Sequence, residues 1–424
     1  MKILHLSTYD VTGGAARAAY RVHTALRRLG HESAMIVRQK YGDDPSVMAF
    51  APKKDIFTRA RRRWRRHLIT REFRRYEASR PTGLERFSDD RSVYGVELPR
   101  NLPPCDVVTL HQVDGFVDYQ TFFSGLSQRT PVVWRLADMN VLTGGCHYDI
   151  GCGKFLEGCG QCPQLGSDSR EDLSKKVWER KKRAFDSLDS GRLHVVATSQ
   201  WMAGEIRKSP LLSRFSVTII PNMIDTSTFA PRDRRFARKV LGLPHDARIV
   251  LFVSDSMTNK RKGLSFLTEA LEGLGGEQRT VLVSVGIGKL ALNAKINYEH
   301  LGQVSNDRFL SLIYSAVDVF VMPSLQESFG QTVLEAIACG TPVVGFDVGG
   351  IPDMVRPGLT GRLVPVGDSV ALRDSIQALL DDSPGRERMA GECRRIVLEE
   401  YSYKHLGDRY VELYQSMRHH PNIM

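Results

Sequence analysis

The chain has 424 residues, a formal net charge of +11, and 42% hydrophobic and 25% charged side chains. This balance excludes a disordered chain, and no apolar window approaches the roughly 18–20 residues that span a bilayer; the length is too great for one ordinary core and points to two domains. The basic excess favours an anionic partner, whether nucleotide phosphate, acidic lipid surface or nucleic acid, without choosing among them. Lys2–Ser7 reads as a first buried strand. Its apolar run is too short for a signal-peptide core, so the protein is expected in the cytoplasm. Asp10 to Gly14 forms a turn, Ala15 to Leu29 has apolar residues at helical spacing and stops at Gly30, and Ser33–Arg38 is the next strand. This is a βαβ unit of a parallel sheet. Arg59 to Arg80 holds ten arginines, with Trp64, Leu68, Phe73 and Tyr76 at near-helical spacing. It reads either as a basic amphipathic helix on an anionic membrane surface or as a solvated helix with its aromatics packed on the domain. Strands follow at 106–110, 131–136 and 193–197, and 222–245 is polar, Arg-rich and read as a linker. The pattern then restarts, with strands at 247–253, 280–285, 317–322, 342–346 and 361–364 and helices at 264–274, 307–316, 331–338 and 369–382. The expected fold is therefore α/β, two Rossmann-like domains facing an interdomain cleft. The first spans 1–222 and the second 223–401, with a last helix over 402–418 packing back on the first.

The most informative stretch runs from Pro323 to Val344. A strand ends at Pro323, a loop carries Glu327 and ends at Phe329-Gly330, and a helix begins that carries Glu335. Strand ends face the ligand crevice in open α/β sheets, and a helix N-terminus presents free N–H groups and partial positive charge to a diphosphate. Gly330 lets backbone approach an anion closely. Glu335 lies about 7–8 Å along the helix, a distance that suits phosphate to ribose, and a carboxylate accepts two hydrogen bonds from a cis-diol. Glu327 could grip sugar hydroxyls in the same way.

Glu327, Phe329, Gly330, Glu335, Ala336, Gly340, Pro342 and Val343, followed by Gly349-Gly350-Ile351-Pro352 and Gly358-Leu359-Thr360-Gly361, resemble the donor-binding signature of the retaining glycosyltransferase family 4. The resemblance runs from Met1 to about residue 400 and implies the GT-B fold. It further implies that Glu327 and the segment Ser328, Phe329, Gly330 and Gln331 hold the sugar of a UDP- or GDP-sugar donor, and that Glu335 holds the ribose. Asn222 resembles the family's interdomain asparagine turn. Lys262 resembles its diphosphate-contacting lysine, which together with Glu327 and His111 makes up the implied catalytic set. Relatives carry an arginine about six residues before that lysine, where this chain has Ser256. Either Lys260 or Arg261 substitutes for it, or one charge is missing. No cofactor is required for transfer, since cationic side chains neutralise the leaving diphosphate.

In the first half, Gly13-Gly14 resembles the family's glycine loop, placing Gly14 by the donor and Arg17 by the acceptor or the donor phosphate. His111 follows the strand 106–110, where relatives place a histidine on the transferred sugar. Asp138-Met139, Thr143 to Tyr148, Cys152, Cys159 and Cys162-Pro163-Gln164-Leu165 resemble a subset that builds bacterial exopolysaccharides of the colanic-acid type. Asp138 either orients an acceptor hydroxyl or caps the following turn. Cys146, Cys152, Cys159 and Cys162, ending in a C-x-x-C pair, suit a structural tetrahedral zinc, with His147 able to replace one thiolate; reduced thiols and disulfides are the alternatives. The expected activity is hexosyl transfer with retention, onto a saccharide or lipid-linked saccharide, at the inner face of the plasma membrane if the arginine helix binds there. Its rivals are a nucleotide-sugar epimerase on the same fold, which would lack the Glu327–Glu335 stretch, and a nucleic-acid-binding or membrane scaffold protein. Nucleic acid is not expected as a partner, because the cysteine spacing matches no standard finger and no aromatic-interleaved basic motif lies on strands.

Overall fold

The computed structural model describes residues 1–274, 279–288 and 296–418, and these form two compact units, one of residues 1–221 with 407–418 and one of the described residues between 222 and 406. In the first unit seven parallel strands, β1 (Lys2–Tyr9), β2 (Glu32–Gln39), β3 (Val47–Ala49), β4 (Val107–Leu110), β5 (Val132–Arg135), β6 (Leu193–Ala197) and β7 (Ser216–Ile219), lie in the order β3-β2-β1-β4-β5-β6-β7. The central strands are buried along almost their whole length. That is why they read as continuous apolar runs rather than alternating ones. The core on one face gathers Trp134, Tyr119, Phe122, Phe123 and Phe185. The helix Gly14–Arg28 buries Ala16, Ala18, Ala19 and Ala25, small residues that let it lie close on the sheet.

The second unit repeats the plan with six parallel strands: β8 (Arg248–Ser256), β9 (Thr280–Ile287), β10 (Asn297–His300), β11 (Val319–Met322), β12 (Val343–Phe346) and β13 (Gly361–Val364), in the order β10-β9-β8-β11-β12-β13. In each unit the order reverses beside the first strand, between β1 and β4 and between β8 and β11. Open α/β sheets bind ligands at such a reversal, off the carboxyl ends of the strands.

β3, β7 and β10 escape the sequence reading. β3 and β10 are edge strands, and β7 closes the other edge of the first sheet half-exposed, so none needs an apolar run. The linker reading of 222–245 is corrected. The segment belongs to the second unit and holds the helix Arg234–Leu241. There the buried Arg238 guanidinium donates to Asp318 (2.8 Å) and to the carbonyls of Ala316, His245 and Ala247. A polar composition hid a segment fixed by one arginine. The last helix, Tyr403–Arg418, starts in the second unit and enters the first at Gly407, where Tyr414 bonds Thr109 (2.9 Å) and Arg409 donates to the Ile219 carbonyl (2.6 Å). No described helix is long and apolar enough to cross a membrane.

Candidate active site

In the second unit the chain leaves β8 at Ser256 and makes a single turn, Lys260–Lys262, capped by Asn259, whose side chain accepts from the Arg261 amide (3.1 Å). Gly263 follows at φ 66°, and a Cβ there would stand 1.7 Å from the Pro323 carbonyl at the end of β11. Only glycine allows the loops after β8 and β11 to touch, and that contact brings their side chains together. Glu327 Oε2 accepts from Lys262 Nζ (2.8 Å) and Arg261 Nη1 (3.2 Å), and Arg261 also donates to the Gln326 carbonyl (2.6 Å). Burial alone would raise the Glu327 pKa. Lys262 and Arg261 outweigh it and hold the carboxyl down to about 2. Of Lys260 and Arg261, it is Arg261 that stands beside Lys262 on the Glu327 carboxylate, while Ser256 bonds Thr258 (2.9 Å).

The Gly-Gly-Ile-Pro stretch after β12 completes the clamp. Gly349 sits at φ 59°, where a Cβ would lie 1.8 Å from the Glu327 carbonyl, and the Gly350 amide donates to that same carbonyl (2.9 Å). Gly330, at φ 92°, opens the helix Gln331–Ala338 with no side-chain cap, leaving its first N–H groups to other acceptors. Asn222 donates to the Gln331 side chain (3.1 Å) at that helix start. Ser328 and Phe329 are buried in the loop, and Phe329 packs against Tyr401. Glu335 is buried along the helix, with the Tyr314 hydroxyl donating to it (3.3 Å).

In the first unit, the loop after β1 is tied by Asp10, which accepts from the Tyr41 and Gly42 amides. Gly13 (φ 87°) leads into the helix starting at Gly14, again without a side-chain cap, and Arg17 folds back so that Nε donates to the Val11 carbonyl (3.4 Å). His111, just past β4, shares a 2.9 Å hydrogen bond between its Nε2 and Nδ1 of His5 on β1, and its carbonyl accepts from Trp134 Nε1 (3.1 Å). Burial holds both imidazoles well below their usual pKa, so they are neutral. His111 Nδ1 has no hydrogen-bond partner among the described residues, and the ring lines a small cavity with Tyr119, Asp138 and His147.

Asp138 is not a simple turn cap. Oδ1 accepts from the Asn140 amide (2.9 Å), and Oδ2 meets His147 Nδ1 at 2.8 Å, while His147 Nε2 meets Ser88 Oγ at 2.7 Å. Burial would raise the carboxyl pKa, but His147 outweighs it and keeps Asp138 below the usual range. Ser88 and His147 were missed as its partners, because nothing in local spacing links 88, 138 and 147. Lys181 was missed too. It is fully buried, donates to the carbonyls of Asn140 and Thr143, and is pushed down to about 8 by burial.

Cys146, Cys152, Cys159 and Cys162 are free thiols lining one cavity of about 20 Å3, together with Asp149 and Lys154. Among the described residues no group of three or more His, Cys, Asp or Glu is placed to hold a metal. Cys146 and Cys162 pack instead with Phe87, Leu165, Leu173 and Val177, and burial raises their thiol pKa values, that of Cys159 to about 12. His147, the spare ligand of the zinc expectation, is engaged by Asp138 and Ser88. Ile150, Cys159 and Gln161 adopt positive φ in this loop, and Gly144, Gly160 and Gly166 approach neighbouring carbonyls too closely for a Cβ. The strain is held in place by packing against the helix Leu173–Asp186.

Two doubly wound parallel units, each with its candidate residues at the strand-order reversal, define the GT-B fold class. Comparison with known proteins agrees. Sucrose-phosphate synthase from Thermosynechococcus elongatus superposes with a TM-score of 0.65 at 20% identity, covering 98% of this chain and 99% of that one. Anabaena HepE, solved with UDP and glucose, superposes at 0.62 with 17% identity, covering 98% and 100%. Residues 247–382 match the family model for Glycosyl transferases group 1. Alpha-maltose-1-phosphate synthase of Mycobacterium tuberculosis is 30% identical over 246 residues, 53% of this chain. The chain spans 63% of that relative's length.

Proposed function

We propose that the protein is a retaining glycosyltransferase that moves a hexose-type sugar from a UDP- or GDP-sugar to a saccharide or lipid-linked saccharide, in the building of bacterial surface polysaccharide on the cytoplasmic side of the membrane. The observation that carries this reading is the buried Glu327–Lys262–Arg261 cluster at the strand-order reversal of the second unit, ahead of an uncapped helix that carries the buried Glu335. The match of residues 247–382 to the group 1 glycosyltransferase model covers the same segment.

In this reading Lys262, Arg261 and the free N–H groups after Gly330 neutralise the diphosphate, so the protein supplies the positive charge itself. Glu335 accepts from the ribose hydroxyls and Glu327 from the sugar. A carboxyl held down to about 2 by two cations is a weak nucleophile, which argues against a covalent sugar on Glu327. The acceptor oxygen bonds the anomeric carbon on the face the diphosphate leaves. The carbon–oxygen bond to phosphate breaks, and the acceptor proton passes to the departing phosphate oxygen. In the first unit Asp138, held by His147, is assigned to an acceptor hydroxyl. His111 offers a neutral ring nitrogen to a hydroxyl of the sugar.

Calorimetry with UDP-, GDP- and ADP-sugars tests the donor assignment. One nucleotide class should bind saturably, and Glu335→Ala should weaken it by about 100-fold or more, the loss of two hydrogen bonds to a carboxylate at roughly 1.5 kcal/mol or more each. Binding that survives Glu335→Ala unchanged removes the ribose assignment. A trapped covalent glycosyl-enzyme would sink the same-face mechanism.

A further inference from the structure

The structure sorts the arginines of the helix Ile56–Arg74 into two sets. One face is docked on the first unit. Arg62 pairs with Glu97 (2.8 Å), Arg65 with Asp118 and Glu72 with Arg91 (2.8 Å), while Phe73 packs on Phe87. The opposite face carries Arg59, Arg63, Arg66, Arg71 and Arg74, none of which has an ion-pair partner among the described residues. On that side Ile56, Phe57 and Trp64 stand 76%, 84% and 66% exposed, and no residue of the helix is buried. Three large apolar side chains held in water next to unpaired cations are costly unless another surface covers them.

At the foot of the helix lies a cavity of about 190 Å3, lined by Lys53, Thr58, Arg61, Arg62, Arg100 and Asn101. Its one carboxylate, Glu97, is already committed, since both oxygens accept from Arg62 (3.1 and 2.8 Å) and one also accepts from the Lys53 amide. Lys53, Arg61 and Arg100 therefore converge with no carboxylate to pair with among the described residues. Cations so placed repel one another, and an anion with several acceptor oxygens relieves that repulsion. The Thr58 hydroxyl is taken up by Asp55, and Asn101, whose amide donates one hydrogen to the Glu97 carbonyl (2.6 Å), has a second to offer. The space is several times a water's share of about 30 Å3, and the exposed Ile56 and Phe57 belong to the same helical turn as its lining residue Thr58.

We propose that this cavity binds the phosphate headgroup of an anionic membrane lipid while Ile56, Phe57 and Trp64 enter the interfacial layer. The site is separate from the donor cluster of the second unit, so it stands or falls independently of the transferase reading.

The test is co-sedimentation of the full chain with phosphatidylcholine vesicles, alone and with added phosphatidic acid, alongside inorganic pyrophosphate in solution. The wild type should bind the anionic vesicles and not the neutral ones. Lys53→Ala with Arg100→Ala should lower the vesicle affinity by roughly 30-fold. Phe57→Ser with Trp64→Ser should weaken it as well, and all variants should keep full donor affinity by calorimetry and an unchanged melting temperature. Arg62→Gln serves as the contrasting control, since it breaks the Glu97 pair and should lower the melting temperature. Equal binding to neutral vesicles, or unchanged affinity in the Lys53/Arg100 double variant, would overturn the proposal. So would tight pyrophosphate binding without vesicle binding, which would make this a site for a soluble phosphate.

Discussion

Counted within each unit, the two sheets share the order 3-2-1-4-5-6, yet they hold opposite chemistry where that order reverses. The second unit buries formal charge there and makes it tolerable by pairing, with Glu327 against Lys262 and Arg261. The first unit buries imidazoles, His5 against His111, and makes them tolerable by keeping them neutral. A common backbone plan thus fixes where polar groups collect but not how their desolvation is met. Paired charge suits a ligand that is itself charged, and a neutral pair suits hydroxyl groups.

Removing the paired carboxylate should show the largest effect. Glu327→Gln should cut the transfer rate by roughly 10²- to 10³-fold while the fold survives, since sugar positioning and two cations lose their anchor together. A rate within a few-fold of wild type would mean that the cluster is structural only. Acid should separate the units next. Folded His23 and His194 titrate at about 4 against an ordinary 6.5, so the unfolded chain takes up protons that the folded first unit refuses. Their contribution is complete above pH 6.5 and is lost as pH falls toward 4, up to about 3 kcal/mol for the buried His23. Glu327 keeps its charge down to about pH 2. Hydrogen exchange at pH 7 and 4.5 should therefore loosen β1, β2 and β6 before β8 and β11, and equal loosening in both units would break the comparison. Gly349→Ala should destabilise the second unit by about 2–3 kcal/mol, through a left-handed backbone and a clash with the Glu327 carbonyl; an unaltered melting curve would show that the loop gives way easily.

Smaller effects test the first unit. His147→Ala should cost about tenfold in kcat/KM for the acceptor with donor affinity unchanged, and His147→Asn, which can still donate to Asp138, should recover part of it. In their thiols the two units are alike. Burial raises Cys339 to about 12, as it does Cys159, and both should resist alkylation until the chain unfolds. Stoichiometric zinc in the purified protein would instead mean that the four clustered thiols converge on a metal.

The candidate donor site was legible as a place in the fold because its residues lie in one short run. Glu327, Gly330 and Glu335 follow from a strand end, a turn and a helix start in consecutive residues. The sequence left Lys260, Arg261 and a missing charge open at the position of Ser256; the contact of Arg261 with Glu327 was not legible, because it depends on Gly263 letting two distant loops touch. Ser88, Asp138 and His147 converge from separate loops, and no periodicity marks them. Lys181 sits on the buried face of a lysine- and arginine-rich helix, between Val177, Trp178 and Phe185, and its ammonium points inward to satisfy carbonyls, which composition alone does not mark. In the arginine helix the sequence showed the charge but not which arginines were already spent.

The return of the last helix bears on how the chain is made. The first unit's Thr109 and Ile219 find their partners in Tyr414 and Arg409, which leave the ribosome only after the whole second unit has been synthesised. Until then the first sheet lacks part of its cover, and the buried faces of Tyr410 and Tyr414 have nothing to fill. Co-translational folding of the first unit is therefore a two-stage event: early closure of the β1–β7 sheet, then a late locking step that waits on nearly two hundred residues of intervening chain, roughly 10–40 s at ordinary elongation rates.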